Sequence, residues 1–377
     1  MTGATSALTL EALVVSTDPD EAERELAAAV ATIAEPARGA LREQVRAQVA
    51  AEMDAKLKPI GAFGGLEALA IRFAGIRGTA TPGELRPAVV VCAADHGLAA
   101  ENVSAYPPEV TGLMLESVAA GGAGISVLCA RSGATLVVAD LGVTDPPACV
   151  GEQVLDLRVR PGTGNSAVEP AMTREQALLA IRYGMGIANA LADEGVNAVV
   201  LGELGIGNTA TAAALTARLL DVEPARVCGP GTGLDSRQLR GKVATVERVL
   251  ARHPNAREPL DVLVAMGGLE VAALVGVTLA CAARGVVVLV DGLITGAAAL
   301  SASRIAPESV ESMIAGHQSA EPGHAVQLEA LGLAPILRLE MRLGEGTGAA
   351  VALPVVQAAL DILADMATYA SLGIGDH

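Results

Sequence analysis

The chain has 377 residues, of which 51% are hydrophobic and 1% are aromatic, and it contains no Trp. It carries 42 acidic and 26 basic residues, a formal net charge of -16. This charge repels nucleic acid and anionic membrane surfaces, so we expect neither as a partner. An interior with so few aromatic side chains must be built from small aliphatic ones, which favours helices packed on a parallel sheet.

The N-terminal part of the chain predicts helices. Residues 20–58 have apolar positions at three- and four-residue spacing among charges, and Pro36 and Gly39 divide them into two helices. The first fifteen residues lack the basic segment, apolar core and cleavage site of a secretory signal. We therefore expect a cytoplasmic protein.

A membrane span and a cysteine framework are both disfavoured. The most apolar stretch, 262–300, contains Glu270, Arg284 and Asp291, and so predicts a buried core without membrane insertion. The five cysteines are odd in number and widely spaced, matching neither a disulfide framework nor a CxxC metal site. We expect reduced, structural thiols.

From Ala88 onward, short β-branched runs alternate with longer helical stretches. The six predicted strands are AVVVCAADHG, TLVVADLG, NAVVLGELG, DVLVAMGG, VVVLVDG and the run from Pro335 to Gly346. Alternating strands and helices indicate a parallel sheet, and strands that are apolar throughout indicate helices on both faces. The predicted fold is an α/β, three-layer, doubly wound (Rossmann-like) sheet, in which ligands bind at the carboxyl ends of the strands. The Gly- and Pro-rich segment 141–170 predicts a long excursion over the rim of the sheet.

Two glycine clusters at predicted strand ends are candidates for binding an anion. The first, from Gly202 to Thr209, leads from a strand into an alanine-rich helix, whose N-terminus attracts phosphate. The second, from Gly229 to Asp235, is followed by Lys242, which could reach the same phosphate. Alternatively, the first cluster is a plain turn capped by Asn208 or Thr209, and Lys242 is a solvated helix residue.

A third cluster places one carboxylate, Glu345, between flexible glycines after the last predicted strand. A carboxylate in such a place suggests proton abstraction, although it could also be only a favourable partner of the helix dipole. Asp291 and Asp95 also end strands and could bind a ribose hydroxyl or simply form turns.

The sequence lacks the motifs of several common enzyme classes. There is no Walker loop, no GxGxxG followed by a suitably spaced acid, and no GxSxG elbow. His96, His317 and His324 are not spaced as metal ligands, so we predict no metal.

Taken together and in order, six segments resemble the nicotinate-nucleotide:dimethylbenzimidazole phosphoribosyltransferase family over residues 58–370. They are KPIGAFGGLEALA, AADHGLAAENVSAYPPEVT, PAMTREQA, GELGIGNTATAAA, GPGTGLD with Lys242, and RLGEGTGAAVALP. The resemblance implies transfer of phosphoribose from nicotinate mononucleotide to 5,6-dimethylbenzimidazole or a similar aromatic base. The products are α-ribazole 5'-phosphate and nicotinate, formed with inversion and without a metal or redox cofactor. The pyridinium leaves as a neutral ring, so one carboxylate base suffices.

The resemblance also assigns residues. It makes Glu345 the general base, Lys242 the phosphate-binding lysine and Asp291 a strand-end acid near the site. The remaining candidate substrate-binding residues are Gly202, Glu203, Leu204, Gly205, Asn208, Thr209, Gly231, Gly233, Ser104, Tyr106, Pro107, Leu343 and Gly344.

The resemblance further implies a homodimer formed partly by the terminal helices, and the length of the chain allows a smaller helical domain against a large one. The expected divisions are 1–85 (helical segment), 86–350 (transferase domain) and 351–377 (a C-terminal helix packing with the first segment).

The chain departs from the family pattern on the acceptor side. The Lys-Pro motif lacks a serine and an arginine within 59–65, and Glu109-Val110-Thr111 is followed by Gly112, Leu113 and Met114 in place of a glutamine. The sequence therefore leaves open another benzimidazole, a purine or a phenol as acceptor. Two further functions stay open: a non-catalytic nucleotide-binding protein, which Glu345 disfavours, and an NAD(P)-dependent oxidoreductase.

Overall fold

The computed structural model describes residues 17–373. The segment used for the signal prediction lies outside this range, as do the outer ends, 1–16 and 374–377, of the two expected terminal segments. The strands are β1 (Pro87–Ala94), β2 (Thr135–Gly142), β3 (Leu155–Asp156), β4 (Ala198–Leu204), β5 (Val287–Val290) and β6 (Met313–Ala315). They form one parallel sheet in the order β3-β2-β1-β4-β5-β6.

Fourteen α-helices lie within the described range. They are α1 (Pro19–Ile33), α2 (Pro36–Asp54), α3 (Gly65–Arg77), α4 (Val110–Ala119), α5 (Gly124–Ser132), α6 (Arg174–Asp193), α7 (Asn208–Leu220), α8 (Pro224–Val227), α9 (Ser236–Arg252), α10 (Pro259–Met266), α11 (Leu269–Arg284), α12 (Leu293–Ile305), α13 (Pro322–Leu331) and α14 (Thr347–Asp365). The two N-terminal helices predicted for 20–58 are α1 and α2.

Both faces of the sheet are covered, which confirms the three-layer prediction. Along β1, Val90 and Cys92 face one core with α6, α7, α11 and α12, whereas Val89 and Val91 face a second core with α3, α5 and α14. This alternation follows from the pleat of a strand. The strand order is that of a doubly wound nucleotide-binding fold, with the topological switch between β1 and β4.

Small residues let two helices pack very closely beneath the sheet. Gly184 of α6 lies against the Ala273 carbonyl of α11, and Gly276 of α11 lies against the Ile181 carbonyl of α6. A Cβ at either glycine would overlap backbone atoms of the opposite helix. In this chain with few aromatic residues, the core is thus filled by bringing helix backbones close together and not by large side chains.

Two of the six predicted strands are wrong. Residues 261–266 belong to helix α10, which begins at Pro259 and buries Val262, Leu263, Ala265 and Met266, a helical spacing. The last run, 335–346, forms only one bridge, between His317 and Leu337, and its residues 338–340 are exposed. Strands β3 and β6, of two and three residues, were not predicted.

The N-terminal and C-terminal segments meet beside the second core. Helix α3 packs against α2 and α14. The Leu57 amide donates to the Ala367 carbonyl, at 2.9 Å, and the Tyr369 amide donates to the Ala55 carbonyl, at 3.2 Å. These contacts join the two ends of the described chain just beyond the C-terminal end of α14.

Two stretches of the described chain, Val110–Ser132 and Thr347–Asp365, are long and apolar enough to cross a membrane by length and composition alone. The first consists of two separate helices, α4 and α5, with Gly121 and Gly122 between them. The second is α14, which packs Leu353, Val356 and Leu360 into the core. Both stretches therefore belong to the packed α/β unit.

Candidate active site

A cavity of about 450 Å³ opens at the carboxyl ends of β4 and β5. Its walls come from the turn after β4, the loops after β5 and β6, the second glycine cluster and the loop before α14. It is lined by Tyr106, Val110, Thr111, Met114, Glu203, Leu204, Gly205, Ile206, Asn208, Thr209, Gly231, Thr232, Asp291, Gly292, Leu293, Ile294, His317, Ser319, Glu321, Arg342, Leu343, Gly344, Glu345 and Thr347. The volume suits a ligand the size of a mononucleotide with a second ring.

Glu345 is held rigidly at one wall of this cavity. Its side chain is buried, with the residue 2% exposed, and its backbone is left-handed, with φ of 63°. The Ile125 amide donates to Glu345 Oε2 at 3.3 Å. Gly202 lies underneath, where a Cβ would be 2.5 Å from the Glu345 carbonyl oxygen. Burial, and then the charge of Asp291, raise the pKa of Glu345, which favours a group that takes up a proton.

Glu203 occupies the neighbouring wall at the end of β4. Its carboxylate accepts a short hydrogen bond from the Asn208 side-chain amide, from the first turn of α7. Burial raises the pKa of Glu203 well above its ordinary value, and the charges of Asp291, Glu270 and Glu345 add to this effect. Glu203 therefore holds a proton more readily than an exposed glutamate does.

Asp291 is fixed at the end of β5 by two neighbours. The Ala349 amide, from the first turn of α14, donates to Asp291 Oδ1 at 2.8 Å. His317 Nε2 lies 3.3 Å from the same oxygen. The His317 ring lies directly against Gly348, so a Cβ at residue 348 would overlap the imidazole.

Another wall of the cavity forms a cradle around a buried lysine. Lys242 Nζ donates to Thr209 Oγ1 at 2.9 Å and to the Gly229 carbonyl at 3.0 Å. The Gly231 amide donates to Glu321 Oε1 at 2.8 Å. Burial lowers the pKa of Lys242, while the charge of Glu321 opposes that shift. A cation behind two glycine turns is suited to a phosphate.

The mouth of the cavity is apolar. Tyr106, Met114 and Leu343 lie there, and Tyr106 and Leu343 are both more than half exposed. The hydroxyl of Thr111 accepts from the Ile206 amide, at 3.1 Å, and so ties α4 to the first glycine turn. This end of the cavity is suited to a flat aromatic ring.

Most of the residues predicted from the sequence come together in this cavity. Eleven line it: Tyr106, Glu203, Leu204, Gly205, Asn208, Thr209, Gly231, Asp291, Leu343, Gly344 and Glu345. Lys242 lies directly behind the lining through Thr209, and Gly202 lies beneath Glu345. Ser104 contacts the lining residue Thr232 through its hydroxyl, at 3.2 Å.

Pro107 and Gly233 are outside the lining, as are residues 59–65. Lys58 instead pairs with Glu67, at 2.8 Å.

The turn into α7 is capped by Gly207, with φ of 97°, and not by Asn208 or Thr209. The side-chain amide of Asn208 does not cap the helix and instead donates a hydrogen bond to the Glu203 carboxylate.

The wall formed by His317, Ser319, Glu321 and Arg342 was not predicted from the sequence. His317 and His324 were considered there only as possible metal ligands. Within residues 17–373, no group of three His, Cys, Asp or Glu side chains is arranged to hold a metal ion. The signal that could have identified this wall is the SAEPGH run, which follows the short strand β6. All five cysteines are unpaired, and four of them are buried.

Comparisons with known proteins show which family the chain is similar to. A family model described as Phosphoribosyltransferase matches residues 39–374. A nicotinate-nucleotide--dimethylbenzimidazole phosphoribosyltransferase of Chloroflexus aggregans is 46% identical over 340 residues, which cover 90% of this chain and 96% of the relative. A relative of the same name from Ralstonia nicotianae is 46% identical, over 88% of this chain and 94% of its own.

The crystal structure of CobT from Thermus thermophilus matches with a TM-score of 0.85 and 43% identity, covering 89% of this chain and 100% of that one. Fold and site thus define an enzyme of the phosphoribosyltransferase class. The chain belongs to the nicotinate-nucleotide--dimethylbenzimidazole phosphoribosyltransferase family.

Proposed function

We propose that this enzyme transfers phosphoribose from nicotinate mononucleotide to 5,6-dimethylbenzimidazole or a similar aromatic base. The observation that carries the proposal is that one cavity joins the buried carboxylate of Glu345 to the glycine cradle backed by Lys242. A proton acceptor and a phosphate site are the two groups that this reaction requires. The names of the relatives support the same substrates.

In the proposed reaction, a ring nitrogen of the acceptor attacks the anomeric carbon of the ribose as the bond from that carbon to the pyridinium nitrogen breaks. The bonding electrons neutralise the pyridinium, so nicotinate leaves without needing an acid. The acceptor N–H proton passes to Glu345. Attack opposite the leaving group inverts the anomeric centre and gives α-ribazole 5'-phosphate.

We assign the surrounding groups to charge stabilisation and positioning. Ribosyl transfer develops positive charge on the sugar, and the carboxylates of Asp291 and Glu345 face the space where that charge arises. Lys242, with Thr209 and Gly231, holds the phosphate and so orients the sugar.

The acceptor is the part of the proposal in which this chain differs from its family. Met114 and Tyr106 line the cavity mouth, and no side-chain amide follows Glu109-Val110-Thr111. The apolar wall favours acceptors held by ring stacking and shape. A different benzimidazole, a purine or a phenol is therefore the second candidate for the accepted base.

The test is to incubate the purified enzyme with nicotinate mononucleotide and a panel of acceptors. The panel contains 5,6-dimethylbenzimidazole, benzimidazole, adenine, phenol and p-cresol, and products are identified by mass spectrometry. We expect a ribotide with at least one base and stoichiometric release of nicotinate. No product from any base would refute the transferase proposal, whereas product from phenols alone would reassign the acceptor. Binding of NAD in place of the mononucleotide would favour the oxidoreductase.

We further propose that the enzyme is a cytoplasmic homodimer with helices α2, α3 and α14 as its smaller helical unit. Ile60, 75% exposed, and the partly exposed Phe63 precede α3 and offer an apolar surface for a second copy. Five unpaired cysteines suit a reducing compartment. Light scattering coupled to gel filtration measures the mass: a monomer of about 38 kDa would contradict the dimer.

A further inference from the structure

The charged side chains that line the cavity are unequally divided between acids and bases. Four carboxylates line it, those of Glu203, Asp291, Glu321 and Glu345. Among the described residues, Arg342 is the one lysine or arginine in the lining. A nucleotide that enters such a cavity is repelled by every acid that is ionised, so its affinity depends on a cation in the same walls. Arg342 is the side chain in a position to supply that charge.

Arg342 does not pair with any of these acids. Within residues 17–373, its guanidinium forms one side-chain hydrogen bond, in which Nη1 donates to the Gly231 carbonyl at 3.0 Å, and no salt bridge. A guanidinium has five N–H donors in a planar fork. Most of these donors, and the whole positive charge, are therefore left for a ligand.

Lys242, the other cation of this region, does not line the cavity. It is 1% exposed, and its Nζ donates to Thr209 Oγ1 and to the Gly229 carbonyl. A Cβ at Gly231 would lie 3.3 Å from this Nζ. Gly231 thus contacts Lys242 on one side and accepts from Arg342 through its carbonyl. Lys242 acts from behind the glycine turn, whereas Arg342 acts from the cavity wall itself.

Both ends of the Arg342 side chain are fixed beside the cradle. At the outer end, Gly231 accepts from Arg342 and donates through its amide to Glu321 Oε1, at 2.8 Å. At the backbone, the Ala320 amide donates to the carbonyl of Met341, the residue before Arg342, at 3.1 Å. A side chain that is already placed loses little freedom when it binds a ligand.

We propose that Arg342 is a specificity-determining residue, whose guanidinium binds an oxyanion of the donor nucleotide. The inference rests on the proposed function. Nicotinate mononucleotide carries two such groups, the 5'-phosphate and the ring carboxylate, and arginine forms paired hydrogen bonds with both kinds. Arg342 contacts the cradle through Gly231, while the next residue, Leu343, lines the apolar mouth. Arg342 therefore lies between the two subsites, and the choice of ligand separates the two oxyanions.

The test is isothermal titration calorimetry of the full chain with three ligands and no acceptor base. Nicotinate mononucleotide has both oxyanions, nicotinamide mononucleotide has only the phosphate, and nicotinate riboside has only the carboxylate. Arg342→Gln removes the charge and keeps a side-chain N–H donor. Its Kd for nicotinate mononucleotide should be higher than that of the wild type by about tenfold or more, because a hydrogen bond between charged groups is lost.

The other two ligands identify the oxyanion. If Arg342 binds the phosphate, Arg342→Gln loses affinity for nicotinamide mononucleotide and keeps it for nicotinate riboside. If Arg342 binds the carboxylate, the losses are reversed. Wild-type affinity for all three ligands would overturn the proposal, and so would an equal loss for all three.

Two further variants separate the charge of Arg342 from its bond to Gly231. Arg342→Lys keeps a charge and a donor, Arg342→Gln keeps only a donor, and Arg342→Met keeps neither. If the charge binds the oxyanion, the Lys variant should bind more tightly than the other two, which should be equally weak. If the Gln variant bound as tightly as the Lys variant and only the Met variant were impaired, the bond to Gly231 would be the whole contribution and the proposal would be wrong.

Arg338→Gln is the matched control. Arg338 is exposed on the same loop and lies outside the lining, and its replacement changes the net charge by the same amount. It should bind all three ligands as the wild type does. A loss equal to that of Arg342→Gln would reduce the effect to the general charge of the loop and overturn the proposal.

Calorimetry detects binding without turnover, so the two proposals fail separately. If the wild type bound these ligands through Arg342 but formed no ribotide with any base, the proposed function would fail and the oxyanion site would stand. If the enzyme transferred phosphoribose and Arg342→Gln bound all three ligands normally, the role of Arg342 would fail and the proposed function would stand.

Discussion

Gly202 and Glu345 are in backbone contact: a Cβ at Gly202 would lie 2.5 Å from the Glu345 carbonyl oxygen and 2.9 Å from its carbonyl carbon. The contact joins the centre of the sheet to the loop that bears the proposed base. Because the obstructing atoms belong to the backbone, a side chain at residue 202 could be accommodated only by moving that loop.

Gly202→Ala should therefore impair the reaction more than the stability of the fold. Overpacking of this kind costs about 1–3 kcal/mol, and displacement of Glu345 should reduce kcat by at least about tenfold. Thermal unfolding and steady-state kinetics measure the two effects. Gly241→Ala is the control, since nothing lies within 4 Å of a Cβ at that helical position. Wild-type kcat in Gly202→Ala would show that the loop position is not critical.

Replacing the proposed base should separate chemistry from binding. Glu345→Gln retains the shape of the side chain but cannot take up the acceptor proton, so turnover should fall by about a hundredfold or more. Affinity for nicotinate mononucleotide, measured by calorimetry, should remain within a few-fold because Lys242 is untouched. Glu340→Gln, an exposed acid on the same loop, is the matched control. If Glu345→Gln kept the wild-type turnover, a group other than Glu345 would have to be the base.

The pH dependence of the reaction should reflect the environment of Glu345. The base acts only when it is ionised, and burial and Asp291 raise its pKa. On the acidic side of the pH profile, the apparent pKa at which kcat/KM falls should therefore lie above the pKa of about 4.3 for free glutamate. In Asp291→Asn, which removes a neighbouring negative charge, that apparent pKa should move to lower pH. An apparent pKa that moved to higher pH would contradict the assigned cause.

The phosphate cradle predicts a loss that depends on the substrate. Lys242→Met removes a charge-assisted contact of about 1.5–3 kcal/mol, so KM for nicotinate mononucleotide should rise by roughly ten- to a hundredfold. Use of nicotinate riboside, which has no phosphate, should change little. Lys56→Met removes another buried lysine, one that donates to the Leu363 and Met366 carbonyls, and should affect only stability. Equal losses with both substrates would refute a phosphate role for Lys242.

One buried acid outside the cavity should make stability depend on pH. Burial raises the pKa of Asp140 to about 6, from 3.8, despite amide hydrogen bonds from Gly142 and Val143. The folded state then binds this proton more tightly than the unfolded chain does, so stability should fall as pH rises from about 4 to about 6.

Asp140→Asn should remove that fall and increase the free energy of unfolding at pH 7 by about 3 kcal/mol. Denaturant unfolding at pH 4 and pH 7 measures the difference. Asp156→Asn is the control, because Arg158 lowers the pKa of that acid and its replacement should be neutral or slightly destabilising. Lower stability of Asp140→Asn at pH 7 would contradict the predicted sign.

The sequence predicted the layers of the fold better than its smallest elements. Strands β1, β2, β4 and β5 were recognisable because buried parallel strands are continuous apolar runs with β-branched residues. The run at 261–266 has the same composition but forms a helix. Pro259 favours this outcome, because proline is common at the first position of a helix. Strand β6 has only three residues, too few to show a pattern.

For the same reason, one wall of the site escaped prediction. His317 and Glu321 follow β6, and without that strand nothing placed them at the rim of the sheet. The pairs His96–Glu270 and Gly202–Glu345 join residues 174 and 143 positions apart in the chain. Contacts between such distant positions depend on strand order, which local patterns do not specify.

The left-handed backbone of Glu345 has a consequence for related proteins. An L-residue with a side chain costs roughly 1–2 kcal/mol in that conformation, whereas glycine adopts it freely. The loop would thus be more relaxed with a glycine at this position, and the proposed role of Glu345 as the base accounts for the glutamate there. In any related chain that no longer needs this base, the aligned position should drift toward glycine or asparagine, so the residue found there distinguishes working transferases from those that have lost the activity.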